Sequence, residues 1–202
     1  MSEATDFWQV HQVAECPPNR EASVQMLLDR VMKFPGLLDL MPVNFPGKKI
    51  LDFGCGPGHD TLCFLEYGAA HVWFVDISWQ ALDTTSRRLR YHGISDMATA
   101  LFADDDLPEV DHFHSAGVLH HMQDPLGALM RLRLAANTGR VMVYDGEKSE
   151  HSTSLVPITE WWTHKQFIKM CAEAEWAAEY VGSYECSAEW RPNCWAACYA
   201  LK

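Results

Sequence analysis

The segment LDFGCGPGHD, residues 51–60, combines three alternate glycines with acidic residues on both sides. Glycine permits the tight turns and the close backbone approach that a bound ligand requires. A P-loop would need a lysine and a hydroxyl residue after the glycines, and a dinucleotide fingerprint would need the spacing GxGxxG; neither is present. Asp60 stands at the predicted start of a helix, where its carboxylate would repel a pyrophosphate. The segment therefore favours a ligand that is cationic or neutral at this point.

Further acidic residues accompany the strand-like segments of the chain. Asp52 lies on the first of these segments, directly beside the glycines. Asp76 ends the second, about twenty residues after the loop, where an acid can accept hydrogen bonds from both hydroxyls of a ribose. Asp104 to Asp106 follow the third. A ribose and a cation without a phosphate clamp describe S-adenosylmethionine, which carries adenosine, a sulfonium and an α-amino group.

Strand and helix patterns alternate around these residues. The predicted strands are KKILDFG, HVWFVDIS, ATALFAD, VDHFHSAG, GRVMVYDG, AAEYVGSYEC and NCWAACYALK. The predicted helices between them are HDTLCFLEYGA, SWQALDTTSRRLRYHG, DPLGALMRLRLAAN (with Asp124 as N-cap and Pro125 in its first turn) and THKQFIKMCAEA. This alternation predicts an α/β domain with a parallel sheet covered on both faces, closed by a terminal hairpin. Ligands bind outside the carboxyl ends of such strands, where the glycine loop lies.

An N-terminal helical extension, residues 1–47, is predicted to precede a domain that spans residues 48–202. Within the extension, REASVQMLLDRVMKF has apolar residues at helical spacing and is closed by Pro35-Gly36, whereas TDFWQVHQV is a shorter amphipathic piece. The apolar positions of the longer helix are Val24, Leu27, Leu28 and Val31.

Composition and charge exclude several classes of protein. A formal net charge of −11 over 202 residues argues against binding nucleic acid through its phosphates. No apolar stretch approaches the ~20 residues of a membrane-spanning helix, and the N-terminus lacks a signal-peptide pattern, so we expect a cytoplasmic location and no membrane. The seven cysteines are predicted to be reduced. Cys194 and Cys198 are four apart on a predicted strand, which would separate their sulfurs by about 13 Å, so no metal site is expected.

Five segments occur in an order and spacing that resemble a known family: ILDFGCGPG, VWFVDIS, LFADDDLP, SAGVLHHMQDPLGAL and GRVMVYD. Together they resemble the class I S-adenosylmethionine-dependent methyltransferases, over about residues 48–145, with a weaker similarity in WTHKQFIKMCAEAEW. The resemblance implies a Rossmann-like fold of seven strands, with the last antiparallel beside the fifth. The cofactor contacts that it implies are Asp52, Gly54, Cys55, Gly56 and Gly58 for the methionine part, Asp76 for the ribose, Ile77, Asp104 and Asp105 for the adenine, and Ser115 to Gly117 along the cofactor.

His120 and His121 follow the fourth predicted strand, at the mouth of the expected site. Histidine titrates near neutrality and can take a proton from a methyl acceptor. In similar small-molecule methyltransferases the first of these positions often faces the substrate and the second tends to be structural, so His120 is the stronger candidate base. A packing role for both histidines is an open alternative.

The residues expected to line the substrate pocket are aromatic. Aromatic rings clasp flat or cationic substrates, although most of these side chains could instead serve packing. They are Phe7, Trp8, His11, Trp161 and Trp162.

The predicted function is methyl transfer from S-adenosylmethionine to a small molecule. The Asn/Asp-Pro-Pro-Tyr/Phe motif of nucleic-acid N-methyltransferases is absent after the fourth strand. Three alternatives stay open at this point: methylation of a protein or peptide, modification of the wobble uridine of transfer RNA, whose enzymes SAGVLHHMQDPLGAL resembles, and a binding protein that keeps the cofactor without the chemistry.

Overall fold

The computed structural model describes residues 7–8, 14–34, 36, 44–149, 160–187 and 193–202. Within them, seven strands form one sheet: β1 Lys49–Phe53, β2 His71–Asp76, β3 Ala98–Phe102, β4 His112–Ala116, β5 Gly139–Tyr144, β6 Ala178–Glu185 and β7 Trp195–Leu201. The order across the sheet is β3-β2-β1-β4-β5-β7-β6. Strand β7 is antiparallel to both of its neighbours, and the other strand pairs are parallel. This confirms the predicted seven-stranded class I sheet with its antiparallel terminal hairpin.

The helices of the described residues connect the strands as the alternation predicted. They are α1 Arg20–Lys33, α2 His59–Glu66, α3 Trp79–His92, α4 Pro125–Ala135 and α5 His164–Glu173. Two short 3₁₀ turns, Ser95–Met97 and Leu119–His121, precede β3 and follow β4. The side chain of Asp124 accepts a hydrogen bond from Gly127 N, so the predicted N-cap of α4 is confirmed.

The core lies on both faces of the sheet, because the side chains of β1 alternate between two apolar clusters. Ile50 is fully buried against Leu62 of α2 on one face. Its neighbour Leu51 is fully buried against Leu129 of α4 and Phe167 of α5 on the other. A parallel sheet buried on both faces holds its carboxyl edge rigidly, and that edge positions the loops described below.

Helix α1 does not dock through the apolar stripe that predicted it. Leu27 packs on the core, but Val24 and Leu28 remain 39% and 48% exposed. The fully buried residue of the helix is Ser23, which is polar. Asn19 caps the start of α1, and the helix ends at Lys33.

The sequence predicted no membrane-spanning helix, no metal site and reduced cysteines. Among the described residues, no helix is long and apolar enough to cross a membrane. Within the same residues, no group of three or more histidine, cysteine or acidic side chains is arranged to hold a metal ion. Within the described residues none of the seven cysteines forms a disulfide, and Cys186 and Cys194 pack with Tyr144 near the end of β5.

Candidate functional site

A cavity of about 450 Å³ lies at the carboxyl ends of β1, β2 and β4. This volume falls in the range of small-molecule sites. Its walls come from the loops that follow these strands, residues 54–57, 76–78 and 116–118, and from residues 121–124. The cavity therefore occupies the edge of the sheet at which the sequence predicted a ligand.

The glycine loop uses Gly54 and Gly56 for different purposes. Both have positive φ, +81° and +51°. A Cβ on Gly54 would overlap the side chain of Val118, so packing demands glycine there. A Cβ on Gly56 would meet nothing within 4 Å. Because Gly56 lines the cavity, its bare backbone leaves room for close approach of a ligand.

Asp76 connects the glycine loop to the end of β2. Its Oδ2 accepts a hydrogen bond from Gly56 N and its Oδ1 accepts one from Ser78 N, both at 2.9 Å. Burial raises the pKa of Asp76. Each carboxylate oxygen can accept a second hydrogen bond, so Asp76 retains capacity for the hydroxyls of a ribose. Ile77, which follows it, also lines the cavity.

Asp52 lies behind the cavity wall rather than in it. Its side chain is buried, and Oδ2 accepts a 2.5 Å hydrogen bond from the hydroxyl of Thr61, in the first turn of α2. Burial raises the pKa of Asp52 to about 6, an effect that the charge of Asp60 reinforces and that nearby His114 opposes. Asp52 thus holds the first turn of α2 from behind the cavity wall.

Asp60 is neutralised by Arg30 of helix α1. Arg30 donates to both carboxylate oxygens, with Nη2 2.9 Å from Oδ2, and His114 Nε2 lies 3.1 Å from the same Oδ2. Burial alone would raise the pKa of Asp60, but Arg30 and His114 hold it well below its usual range. The sequence indicated a carboxylate that repels anions; the structure shows that its charge is balanced by a cation 30 positions earlier.

A second arginine, Arg88 of α3, supports the same loop without lining the cavity. Its buried guanidinium donates through Nη1 to Pro57 O at 2.5 Å and through Nε to Ser23 Oγ at 2.9 Å. His59 lies beside it, 3.4 Å from Nη1 through Nδ1. Burial, together with the charges of Arg30 and Arg88, lowers the pKa of His59 to about 3, so this cavity-lining imidazole is neutral.

The loop after β3 contributes Ala103, not its aspartates, to the cavity wall. Asp104 and Asp105 are exposed. The Asp105 carboxylate accepts a 2.7 Å hydrogen bond from Phe102 N. Arg131 of α4 donates to the carbonyls of Ala103 and Asp105, at 3.1 and 2.9 Å. These contacts hold the loop so that Ala103, and neither Asp104 nor Asp105, lies in the cavity wall.

At the end of β4, too, some of the predicted residues line the cavity and others do not. Ser115 is fully buried in the sheet and does not line the cavity. Ala116 and Gly117 line it, with Gly117 at φ +79°. Of the predicted cofactor residues, the structure brings Gly54, Cys55, Gly56, Asp76, Ile77 and Gly117 together in the wall, and it places Asp52, Gly58, Asp104, Asp105 and Ser115 outside it.

The histidine pair follows β4 as predicted, but its second member lines the cavity. His120 is fully buried, with its ring 3.9 Å from that of Tyr144 between centroids. His121 retains 9% exposure, and its ring meets that of Trp8 at 5.0 Å. The one-turn 3₁₀ segment Leu119–His121 therefore presents the residue that the sequence ranked lower.

Of the aromatic residues predicted for the substrate pocket, Trp8 lines the cavity. Phe7 packs against Trp8 at 5.0 Å, edge to face. Trp161 lies 5.6 Å from the ring of Tyr144, and Trp162 is buried beside Phe167 in the core. His11 lies outside the described residues.

Comparisons with known proteins agree with this geometry. Residues 51–141 match a family model described as a methyltransferase domain. The chain is 37% identical over 67 residues to a ribosomal protein L11 methyltransferase of Shewanella woodyi, covering 33% of this chain and 22% of that protein. It is 33% identical over 121 residues to a tRNA U34 carboxymethyltransferase of Pseudomonas paraeruginosa, covering 57% of this chain and 38% of that protein. The chain thus matches well under half of either relative.

The fold itself recurs in solved structures. An S-adenosylmethionine-dependent methyltransferase from Mesorhizobium loti superposes with a TM-score of 0.65 at 18% identity, covering 87% of this chain and all of the other. Residues 51–141 thus match a methyltransferase domain, and the sheet order and the cavity agree with the fold of the class I S-adenosylmethionine-dependent methyltransferases. S-Adenosylmethionine is the cofactor of this class. The cavity fits it, because Gly56 leaves a space that a Cβ would fill and Asp76 retains acceptor capacity at the end of β2.

Proposed function

We propose that the protein transfers the methyl group of S-adenosylmethionine to a small-molecule acceptor in the cytoplasm. The observation that supports this most directly is the continuity of the cavity wall, in which the glycine loop and Asp76 share one lining with Trp8 and His121. The first two hold the cofactor and the last two border the acceptor. In-line displacement needs the acceptor atom about 3 Å from the methyl carbon, so orientation by these walls supplies most of the catalysis.

The cofactor residues take the following roles in this proposal. Asp76 accepts hydrogen bonds from the ribose hydroxyls, and Ile77 with Ala103 packs on the adenine. Gly54 and Gly56 bring backbone against the methionine part, and Gly117 lines the opposite wall. Asp52 acts indirectly, since it positions α2 through the hydroxyl of Thr61.

His121 is the proposed general base. Its imidazole lies in the wall, and a neutral imidazole accepts a proton from a hydroxyl or an ammonium as the methyl bond forms. The ring of Trp8 packs against it and helps to exclude water. His120, buried against Tyr144, holds the 3₁₀ turn in place.

A second candidate function is modification of transfer RNA. The observation that favours it is the 121-residue similarity to a tRNA U34 carboxymethyltransferase. The formal net charge of −11 favours the small molecule instead, because binding of nucleic acid draws on clustered lysine and arginine. Because the chain is also similar to a ribosomal protein L11 methyltransferase, the assay below includes a protein acceptor.

Formation of S-adenosylhomocysteine distinguishes these functions. The assay compares a metabolite library, total transfer RNA and a ribosomal protein fraction, with Asp76→Asn as the background control. Turnover with library members alone supports the proposal. Turnover confined to transfer RNA, together with salt-sensitive binding of it, would establish the second candidate. Binding of S-adenosylhomocysteine without turnover in any arm would show a binding protein.

A further inference from the structure

The cavity wall contains one cation that neither the glycine loop nor the family pattern accounts for. Among the described residues that line the cavity, Arg30 is the only lysine or arginine. It comes from helix α1, and its side chain is 20% exposed. Trp8 and Ala14, from the same N-terminal part of the chain, line the cavity beside it. The predicted extension therefore forms part of the wall.

The position of Arg30 relative to the other contacts identifies the part of the ligand that it meets. Asp76 and Ile77 occupy the wall at the end of β2, where the ribose and the adenine are proposed to lie. The wall continues past Gly56 and Pro57 to the start of α2, where Asp60 and Arg30 line it. Because the ribose and the adenine are assigned to the end of β2, the amino-acid end of the cofactor is the part that would lie beside Asp60 and Arg30.

We propose that Arg30 binds the α-carboxylate of the S-adenosylmethionine amino-acid group. This inference rests on the cofactor assignment above and extends it to a residue of the N-terminal helix. Guanidinium groups match carboxylates through paired N–H donors. Arg30 uses two of its five donors on Asp60, so three remain for a second carboxylate.

The charge balance of the region suits a zwitterion rather than a simple anion. Arg30 and Asp60 form one ion pair, and His114 contacts the carboxylate of Asp60 as well. The amino-acid group of the cofactor carries one negative and one positive charge, and it can align against this pair with opposite polarity. N-cap Gly58 makes no side-chain cap hydrogen bond, so Asp60, in the first turn of α2, is the acidic group at the positive end of the helix dipole.

The test compares two ligands: S-adenosylhomocysteine and the analogue that lacks only its carboxylate. Calorimetry on the native protein should show the analogue binding about tenfold or more weakly, since a charge-assisted hydrogen bond to a carboxylate is lost. The double variant Arg30→Met with Asp60→Asn removes both charges of the ion pair, so that the charge of Asp60 does not remain without its guanidinium. In this variant the preference for the carboxylate should disappear. Arg20→Met, in the same helix and exposed, is the matched control and should retain the native ratio.

The outcomes separate this inference from the cofactor assignment. Retention of the native ratio by the double variant would show that the Arg30–Asp60 pair only joins α1 to α2. Failure of the native protein to bind S-adenosylhomocysteine would overturn the cofactor assignment and this inference together. The single variant Arg30→Met adds a further readout. With the charge of Asp60 no longer balanced by a guanidinium, the carboxylate should be repelled and the analogue should bind more tightly than S-adenosylhomocysteine.

Hydrogen exchange provides a measurement that does not depend on any variant. If Arg30 holds the carboxylate, ligand binding and the docking of α1 stabilise each other reciprocally. S-Adenosylhomocysteine should therefore slow amide exchange in Arg20–Lys33 more than the decarboxylated analogue does at equal saturation. Equal protection of this helix by the two ligands would contradict the inference.

Discussion

Arg88 Nε donates a 2.9 Å hydrogen bond to the hydroxyl of Ser23, and both residues are fully buried. A second donor of the guanidinium, Nη2, reaches the carbonyl of Ser23 at 3.1 Å. The bond joins α3 to α1, while Nη1 of the same arginine holds Pro57 in the glycine loop. A buried polar link between a helical extension and a ligand loop fixes their relative position, because breaking it would leave a donor of a buried charge without an acceptor.

Replacement of Ser23 by alanine should therefore destabilise the fold. Arg88 loses one buried acceptor, so the free energy of unfolding should fall by about 1–3 kcal/mol. Chemical denaturation monitored by tryptophan fluorescence measures the change. Ser86→Ala is the control, because the Ser86 hydroxyl donates to Leu82 O within its own helix. Equal losses of unfolding free energy in the two variants would show that the hydrogen bond from Arg88 to Ser23 stabilises the fold no more than the bond within α3 does.

Gly56 offers a test of the cavity that separates backbone strain from ligand contact. Gly56→Ala and Gly47→Ala both place a methyl group on a backbone with positive φ, at +51° and +72°, and both find open space. Each should cost about 1–2 kcal/mol of stability. Only Gly56 lines the cavity, so its variant alone should weaken S-adenosylhomocysteine binding, by about tenfold or more. Equal affinities in calorimetry would contradict the proposed approach of the cofactor to Gly56.

Asp76→Asn tests the proposed ribose contact. Each charge-assisted hydrogen bond to a ribose hydroxyl is worth about 1.5–3 kcal/mol, so affinity for S-adenosylhomocysteine should fall at least about tenfold. Thermal unfolding monitors any loosening of the loop, since Asp76 also accepts from Gly56 and Ser78. Asp96→Asn, at an exposed position, is the control. An analogue without the ribose 2′-hydroxyl should lose less affinity in the variant; an unchanged dissociation constant for both ligands would refute the contact.

The sheet could be predicted from the sequence because its signals are local. Apolar runs such as KKILDFG end at glycine or aspartate, and helix patterns of ordinary length separate them. Caps such as Asp124 are readable within four residues. Strand order followed from the family resemblance and from the short terminal hairpin. The strand, helix and cap signals depend on neighbours in the chain, which a sequence displays directly.

The electrostatics of the site could not be predicted, because its pairs are distant in sequence. Arg30 meets Asp60 across 30 positions, and Arg88 meets Ser23 across 65. Nothing in the pattern of α3 distinguishes Arg88, which is buried, from its neighbour Arg87, which is exposed. The choice between His120 and His121 depends on the rotation of a single 3₁₀ turn, a difference of one residue that periodicity does not resolve.

The raised pKa of Asp52 predicts a pH-dependent contribution to stability. The native state holds a proton on Asp52 up to about pH 6, whereas the unfolded chain releases it near its ordinary pKa of 3.8. Stability from this group is present below pH 3.8 and is lost as the pH rises to about 6. Asp52→Asn keeps the side chain neutral, so its stability relative to the native protein should rise across that window, by about 1–3 kcal/mol.

Urea denaturation at several pH values between 4 and 7 measures this difference. Asp106→Asn, an exposed aspartate after β3, is the matched control and should track the native protein at every pH. A constant difference between Asp52→Asn and the native protein across the range would mean that burial does not raise the pKa of Asp52.

The histidine pair gives the most direct test of the chemistry. For an acceptor with a hydroxyl or a protonated amine, His121→Ala should lower kcat about a hundredfold, because general-base help contributes 10²–10⁴. The dissociation constant of S-adenosylhomocysteine should stay near the native value. His120→Ala should act on the fold instead, lowering the free energy of unfolding by about 2–4 kcal/mol as it empties the space beside Tyr144.

The pH dependence of turnover decides between the two histidines. With the native protein, kcat should rise through a pKa between about 6 and 8, as the imidazole of the base loses its proton. That limb should vanish in His121→Ala and persist in any His120 variant that remains folded. The opposite pattern would return the role of base to His120, the residue that the sequence favoured. If both variants kept the limb, neither imidazole would take the proton, and the acceptor would be one that reacts already deprotonated, such as a thiolate or a carbanion.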